Sequence, residues 1–247
     1  MSVRSTQEVL LISSRGASNV RSTQEVLLIS VPFIDVTPFT YPLSPPAISG
    51  IGPQDFTLTE ENVIGETESP FTLSQQEQQW PGQRLRIEAN LPPLVTSEAE
   101  QWIAFFGALF GKLGTFLMGD YNRLTPQGAM SGSPLVNGSN LNGLNVLLVR
   151  GATPSVSNWA VAGDYIQVTA GSGLPQRIYK VLQNAASNSS GDVTLYIFPN
   201  IRESLSDGTV IVTENCAGTF RLQDNTFSWK IDKNKMYTIS FKAKEAI

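Results

Sequence analysis

Carboxylate pairs are the residues of this sequence with the most obvious chemical use. Glu60 and Glu61 adjoin, and Glu66 and Glu68 lie a few positions on in the same polar stretch. Hydrolysis of a glycosidic bond needs two carboxylates facing each other across a cleft. Nothing in this spacing brings a pair across a cleft, and a solvated face accounts for all four. The other candidates are weaker. Gly171-Ser172-Gly173 lies between strand-like segments and lacks the rest of a phosphate-binding loop or dinucleotide fingerprint, so it reads as a turn. Asp192 and Asp207-Gly208 lack the alternating ligands of a calcium loop. Trp80, Trp102, Trp159 and Trp229 could line a sugar platform, although packing is the commoner use of tryptophan.

What the chain lacks is more telling. It has no histidine, which removes the usual general base at neutral pH, the Ser-His and Cys-His nucleophile pairs and the commonest metal ligand. The single cysteine, Cys216, leaves no intramolecular disulfide and no Cys-rich metal site; it reads as a small buried hydrophobe in a protein made in a reducing compartment. No catalytic residue, cofactor or metal is therefore expected. The net charge of −4 without a basic cluster argues against nucleic-acid binding. No run of about 18 apolar residues is present, so no membrane insertion is expected, and the N-terminus does not read as a signal peptide. Charged residues make up only 15% of the 247 positions, against about 25% in an average soluble protein. Such a low charge density suits a chain that hides much of its surface against partners.

Around these residues the sequence predicts short strands and one helix. Pro92–Asp120 holds the helix, expected over Ser97–Phe110. Ser97 and Glu100 have capping-box spacing, and Ala99, Trp102, Ile103, Phe106, Phe110 and Leu113 recur on one wide face. Gly111 and Gly114 are stop signals, and Thr115–Met118 reads as a buried strand. Phe105 and Leu109 make the helix apolar on a further face. It is either an ordinary core helix or one that also touches a neighbouring subunit through Trp102, Phe105 and Leu109.

The chain opens on a duplication: Val3–Ser13 and Val20–Ser30 both read VRSTQEVLLIS. Each copy is strand-like, and Val9, Leu11, Val26 and Leu28 are the apolar positions of an arm (residues 1–33) that would add to a sheet on another chain. A plain edge hairpin of the main domain and a cloning scar are the alternatives. Residues 34–55 read as a Pro/Gly-rich linker. Short strands follow from Phe56, and in Arg84–Leu91 the residues Leu85, Ile87 and Ala89 face inward while Arg84, Arg86, Glu88 and Asn90 face outward. Leu124–Ser133 reads as a boundary. Asn145–Arg150, Asp164–Val168, Arg177–Leu182, Val193–Phe198 and Thr209–Thr213 then form strands of a small antiparallel barrel. Trp229, Ile231, Tyr237, Ile239 and Phe241 should face inward on C-terminal strands that return to the helix-bearing sheet. The expected fold is mainly β. A helix-bearing β-sandwich (56–133 with 216–247) carries an inserted small antiparallel β-barrel (134–215) and an extended N-terminal strand arm.

Several ordered motifs carry a family resemblance. Ser69–Asp120 ends its strands in L-P-P-L (Leu91–Leu94), continues into E-A-E-x-W (Glu98–Trp102) and closes on G-T-F-L-x-G-D (Gly114–Asp120). TPQG, PLVNGSNLNG, AGDYIQV, RIYKVL, GDVTLYIFPNIR, DGTVIV, GTFRL, FSWKID and YTISFKAKEA follow in order. Over Ser69–Ala246 the sequence resembles tail structural proteins of tailed bacteriophages, in particular the distal tail protein of the tail tip or baseplate. The N-terminal repeat is similar to tandem segments of phage structural proteins, with Thr6 and Thr23 where those carry an apolar residue or Ser. The resemblance implies a homo-oligomeric ring, a hexamer, joining the tail tube protein to the tail hub and to tail fibre or receptor-binding proteins. It further implies synthesis in the bacterial host cytoplasm, residence at the virion's tail tip, and no active site. The rival readings are a peripheral module that binds a receptor or carbohydrate through Trp159, Tyr165 and Tyr179, and a cell-wall hydrolase built on the carboxylates.

Overall fold

The computed structural model describes residues 39–47, 52–138 and 142–247. Val9, Leu11, Val26 and Leu28 lie outside the described residues, as does the rest of the duplicated arm. The described residues form a mainly β protein with antiparallel strands and one helix. The first sheet runs β1 (Asp55–Glu68), β2 (Gln75–Asn90), β12 (Tyr237–Glu245), β10 (Gly218–Leu222), β3 (Phe116–Met118), and β11 (Trp229–Ile231) pairs with the start of β12. The second runs β4 (Gly132–Val136), β5 (Val146–Ala152), β8 (Val193–Phe198), β7 (Gln176–Val181), β6 (Tyr165–Thr169), β9 (Ile211–Val212). A bridge from Leu135 to Val210 brings its two edges almost together, so this sheet is a nearly closed barrel. All its strands lie between β3 and β10 in sequence, so the first sheet is left and re-entered around it. β12 does return to the first sheet, as its alternation required.

The alternation of β2 and β12 sets the layers. Leu85, Ile87 and Ala89 share a buried face with Ile239, Phe241, Ala243 and Glu245, while Arg86, Glu88, Ser240 and Lys242 form the opposite, polar face. The buried face is divided along its length. At one end it meets α1 (Thr96–Ala108); at the other it meets Tyr165, Ile178 and Phe198 of the barrel, which join the same apolar cluster. The barrel has a second core of its own around Leu147, Trp159, Ile166, Tyr179 and Leu195.

The helix starts slightly earlier than Ser97. Val95 is its N-cap, and its amide donates to the Glu98 carboxylate at 3.2 Å; valine offers no side-chain acceptor, so only the return half of a capping box forms. Its C-terminus closes on Phe110 and Gly111, both with positive φ, as the glycine signal predicted. Gly119 answers to close approach: a Cβ there would stand 2.0 Å from the Cys216 carbonyl oxygen. Two inward-facing expectations fail. Trp229 and Ile231 are half exposed, because β11 is a three-residue edge strand paired only with Tyr237–Ile239 of β12. No helix of the described residues is long and apolar enough to cross a membrane.

Candidate interaction surface

The helix residues expected between subunits belong to the chain's own core. Trp102 is 1% exposed, and Phe105 and Leu109 are buried with it. Trp102 stacks with Phe106 at 5.8 Å between ring centroids, Phe106 lies 5.0 Å from Phe241, and Phe105 meets Phe116 edge-on at 5.7 Å. The extra apolar face is covered from within the chain. Residues 41–43 run beside β3, the Leu43 amide donating to the Thr115 carbonyl at 2.9 Å and the Leu117 amide to the Leu43 carbonyl at 2.8 Å, and the Tyr41 hydroxyl donates to the Ala108 carbonyl at 2.6 Å. The intersubunit role expected of Trp102, Phe105 and Leu109 is thus corrected to core packing.

The same correction applies to the aromatic residues expected to hold a ligand on the barrel. Trp159 is 0% exposed and donates its indole N–H to the Ser131 carbonyl at 2.8 Å. Tyr165 and Tyr179 are buried, and loss of water around them pushes both hydroxyls above the ordinary tyrosine range. None of the three offers a ring face to a glycan. The neighbouring Asp164 is the more instructive residue. Its buried carboxylate accepts the amides of Gln127 (2.7 Å), Gly128 (3.0 Å) and Val161 (2.9 Å), tying the TPQG loop to the start of β6. Gly128 is needed there because a Cβ would stand 2.5 Å from the Trp159 carbonyl oxygen.

The carboxylate pairs do not assemble a catalytic site. Glu60 and Glu61 lie on opposite faces of β1, Glu60 bound to Lys180 at 2.8 Å and Glu61 to Arg84 and Arg86. Hydrogen bonds from Arg84 and then Arg86 hold the Glu61 carboxyl at about 2, well below the usual carboxylate range. Among the described residues no group of three or more His, Cys, Asp or Glu could hold a metal.

Exposed apolar residues are spread over the described surface, and two groups of them lie at the ends of the first sheet. Beyond Asn62 and Gln83 the β1–β2 hairpin leaves the body. Register slips there, Asn62 pairing with Gln83 but Ile64 with Gln79, so Trp80, Pro81 and Gly82 bulge opposite Val63. Proline cannot donate to a ladder and a bulge bends the strand. Past this bend, five paired positions on each strand, Ile64–Glu68 against Gln75–Gln79, reach about 16 Å before the turn at Ser69–Ser74. From Ile64 through Trp80 every residue except the half-buried Gly65 and Ser69 is exposed, with Phe71 at 94%, Leu73 at 70% and Trp80 at 56%. At the far end of the sheet, Trp229 and Ile231 of β11 and Phe110 and Leu113 at the helix C-terminus are also exposed. Sequence reading took the hairpin as ordinary short strands. The Trp-Pro-Gly inside an alternating run was the signal that it bends and departs. No protein-family model matches this chain, and no curated protein matches it.

Proposed function

We propose that the protein is a non-enzymatic structural subunit of a phage tail tip or baseplate, assembling as a closed homo-oligomeric ring that joins the tail tube to tail-tip or receptor-binding proteins. The observation that carries this reading is the hairpin beyond Val63. A two-stranded ribbon exposed on both faces is marginally stable in water, and one that also presents Phe71, Leu73 and Trp80 suits a molecule whose working state covers it. The phage-tail part of the reading is supported by the resemblance of the ordered motifs of Ser69–Ala246. They fall on structurally demanding positions: L-P-P-L leads from β2 into the helix, G-T-F-L-x-G-D forms β3 and its tight closure, and TPQG and AGDY meet at Asp164. Symmetric closure is the usual way for identical subunits to satisfy repeated contacts.

Native mass spectrometry of the purified full chain tests the oligomer. A single closed stoichiometry, a hexamer for a tail ring, is expected from micromolar concentrations upward. A monomer persisting at about 100 μM would overturn the ring.

A further inference from the structure

We propose that the acidic face of the ribbon on one copy docks against the lysine-rich β11–β12 end of a second copy, head to tail. The pairing rests on the ring reading above and names the surfaces that would build it. The register of the ribbon sorts its side chains. Directly paired residues share a face, so Ile64 with Gln79, Glu66 with Glu77 and Glu68 with Gln75 line one side, whereas Gly65 with Gln78 and Thr67 with Gln76 line the other. Glu66, Glu68 and Glu77 therefore stand together on one face, and no Lys or Arg occurs from Asn62 through Gln83. The opposite face is uncharged, with the Trp80 indole lying over Gly65.

The complementary surface lies at the other end of the sheet. β12 runs antiparallel to β2 and starts beyond its last paired residue, so β11 and its turn sit as far from the ribbon as the sheet allows. This end carries Lys233 and Lys235 in the turn and Lys230 on β11, on the face opposite the half-exposed Trp229 and Ile231, none of the three in an ion pair among the described residues. Its turn is held in shape by the Asp232 carboxylate, which accepts the amides of Asn234 (2.8 Å) and Met236 (2.9 Å). The acidic face of the ribbon at one end is thus opposite in charge to the lysines of β11 and its turn at the other. The two patches cannot meet within one molecule. Contact between copies satisfies both, and a heterologous contact of this kind builds a ring when its rotation closes.

The test uses two triple variants of the full chain, Glu66→Lys/Glu68→Lys/Glu77→Lys and Lys230→Glu/Lys233→Glu/Lys235→Glu, read by native mass spectrometry and sedimentation. All six side chains are on exposed segments, so both variants should keep the unaltered chain's melting temperature. Each alone should associate roughly ten- to a hundredfold more weakly than the unaltered chain. An equimolar mixture should regain the full oligomer with alternating copies, because each reversed patch then faces an opposite charge. Association of the unaltered chain should also weaken as salt is raised, since exposed pairs are screened. If the unaltered chain forms its oligomer and either triple variant does so equally well, or the mixture fails to recover, this pairing is wrong while the ring stands. If the unaltered chain never associates, both fall.

Discussion

Replacing Glu245 with alanine should cost more stability than any surface change, because this carboxylate ties the first sheet to the barrel. Its side chain is 1% exposed at the end of β12, on the same face as Ala243. It accepts the Leu85 amide at 3.2 Å and pairs with Arg177 at 3.5 Å and, more closely, with Arg202. Alanine leaves the Leu85 amide without an acceptor, a desolvation cost of about 1–3 kcal/mol. Removing one partner of a buried ion pair costs about 3–5 kcal/mol. The two costs overlap because they share one carboxylate. Each arginine also keeps another partner, Glu203 and the Ala246 carbonyl for Arg177 and the Gln83 carbonyl for Arg202. A loss of about 3–4 kcal/mol is therefore expected, or about 6–16 °C in melting temperature for a chain of this size.

Scanning calorimetry reads the loss directly, and two companion variants assign it. Glu245→Gln keeps the shape and an acceptor for Leu85 but not the charge, and should lose about half as much. A double-mutant cycle with Arg202→Met should give a coupling of about 1–3 kcal/mol. A loss below about 1 kcal/mol in Glu245→Ala, with a coupling near zero, would refute the reasoning. The joint would then rest on the apolar contacts of Tyr165, Ile178 and Phe198 alone.

Two further predictions concern single titrating groups. Burial pushes the Cys216 thiol up to about 12, so in native protein at pH 8 it should stay protonated and unreactive towards a disulfide reagent until the chain unfolds; stoichiometric labelling within minutes in native buffer would contradict its placement. The Glu61 carboxyl is held low by Arg84 and Arg86, so its ion pairs stabilise the fold above the usual carboxylate range and are lost as pH falls through about 2. Carboxyl-carbon NMR should show that midpoint, moving upward in Arg84→Gln/Arg86→Gln, and a midpoint near 4 in the unaltered chain would show the pairs to be solvated.

Much of the strand content was legible because burial on one face writes itself into alternation. Arg84–Leu91 alternates as read, and Val193–Phe198 has the expected limits. β4 was missed because Gly132 and Ser133 read as the end of a boundary, although Leu135 and Val136 belong to a strand that a local register shift admits. The burial of Trp102, Phe105 and Leu109 was beyond sequence reading for a different reason. Their cover comes partly from Tyr41, bonded to a residue 67 positions away, and no local pattern announces such a return. Trp159 shows the converse. An indole that looks available for a ligand is satisfied by one backbone carbonyl, which tryptophan's amphipathic character permits.

The ribbon, the barrel and the helix are coupled through a single strand pair. On the buried face of β12, Phe241 meets the helix and Glu245 meets the barrel, so a slip of one residue would expose both together. On β2, the residue at the root of the ribbon is Gln83. Its side-chain oxygen accepts the Asn200 amide at 2.7 Å, its side-chain nitrogen donates to Asn62 at 2.9 Å, and its carbonyl accepts from Arg202. Asn200 and Arg202 belong to the barrel's loop after β8, and Arg202 also pairs with Glu245. The ribbon therefore leaves the body from a point fixed to the barrel by two hydrogen bonds, one of them from Arg202, which is itself paired with Glu245. A partner that grips the ribbon pulls on a root anchored to the barrel, and the same residues fix the barrel to the first sheet.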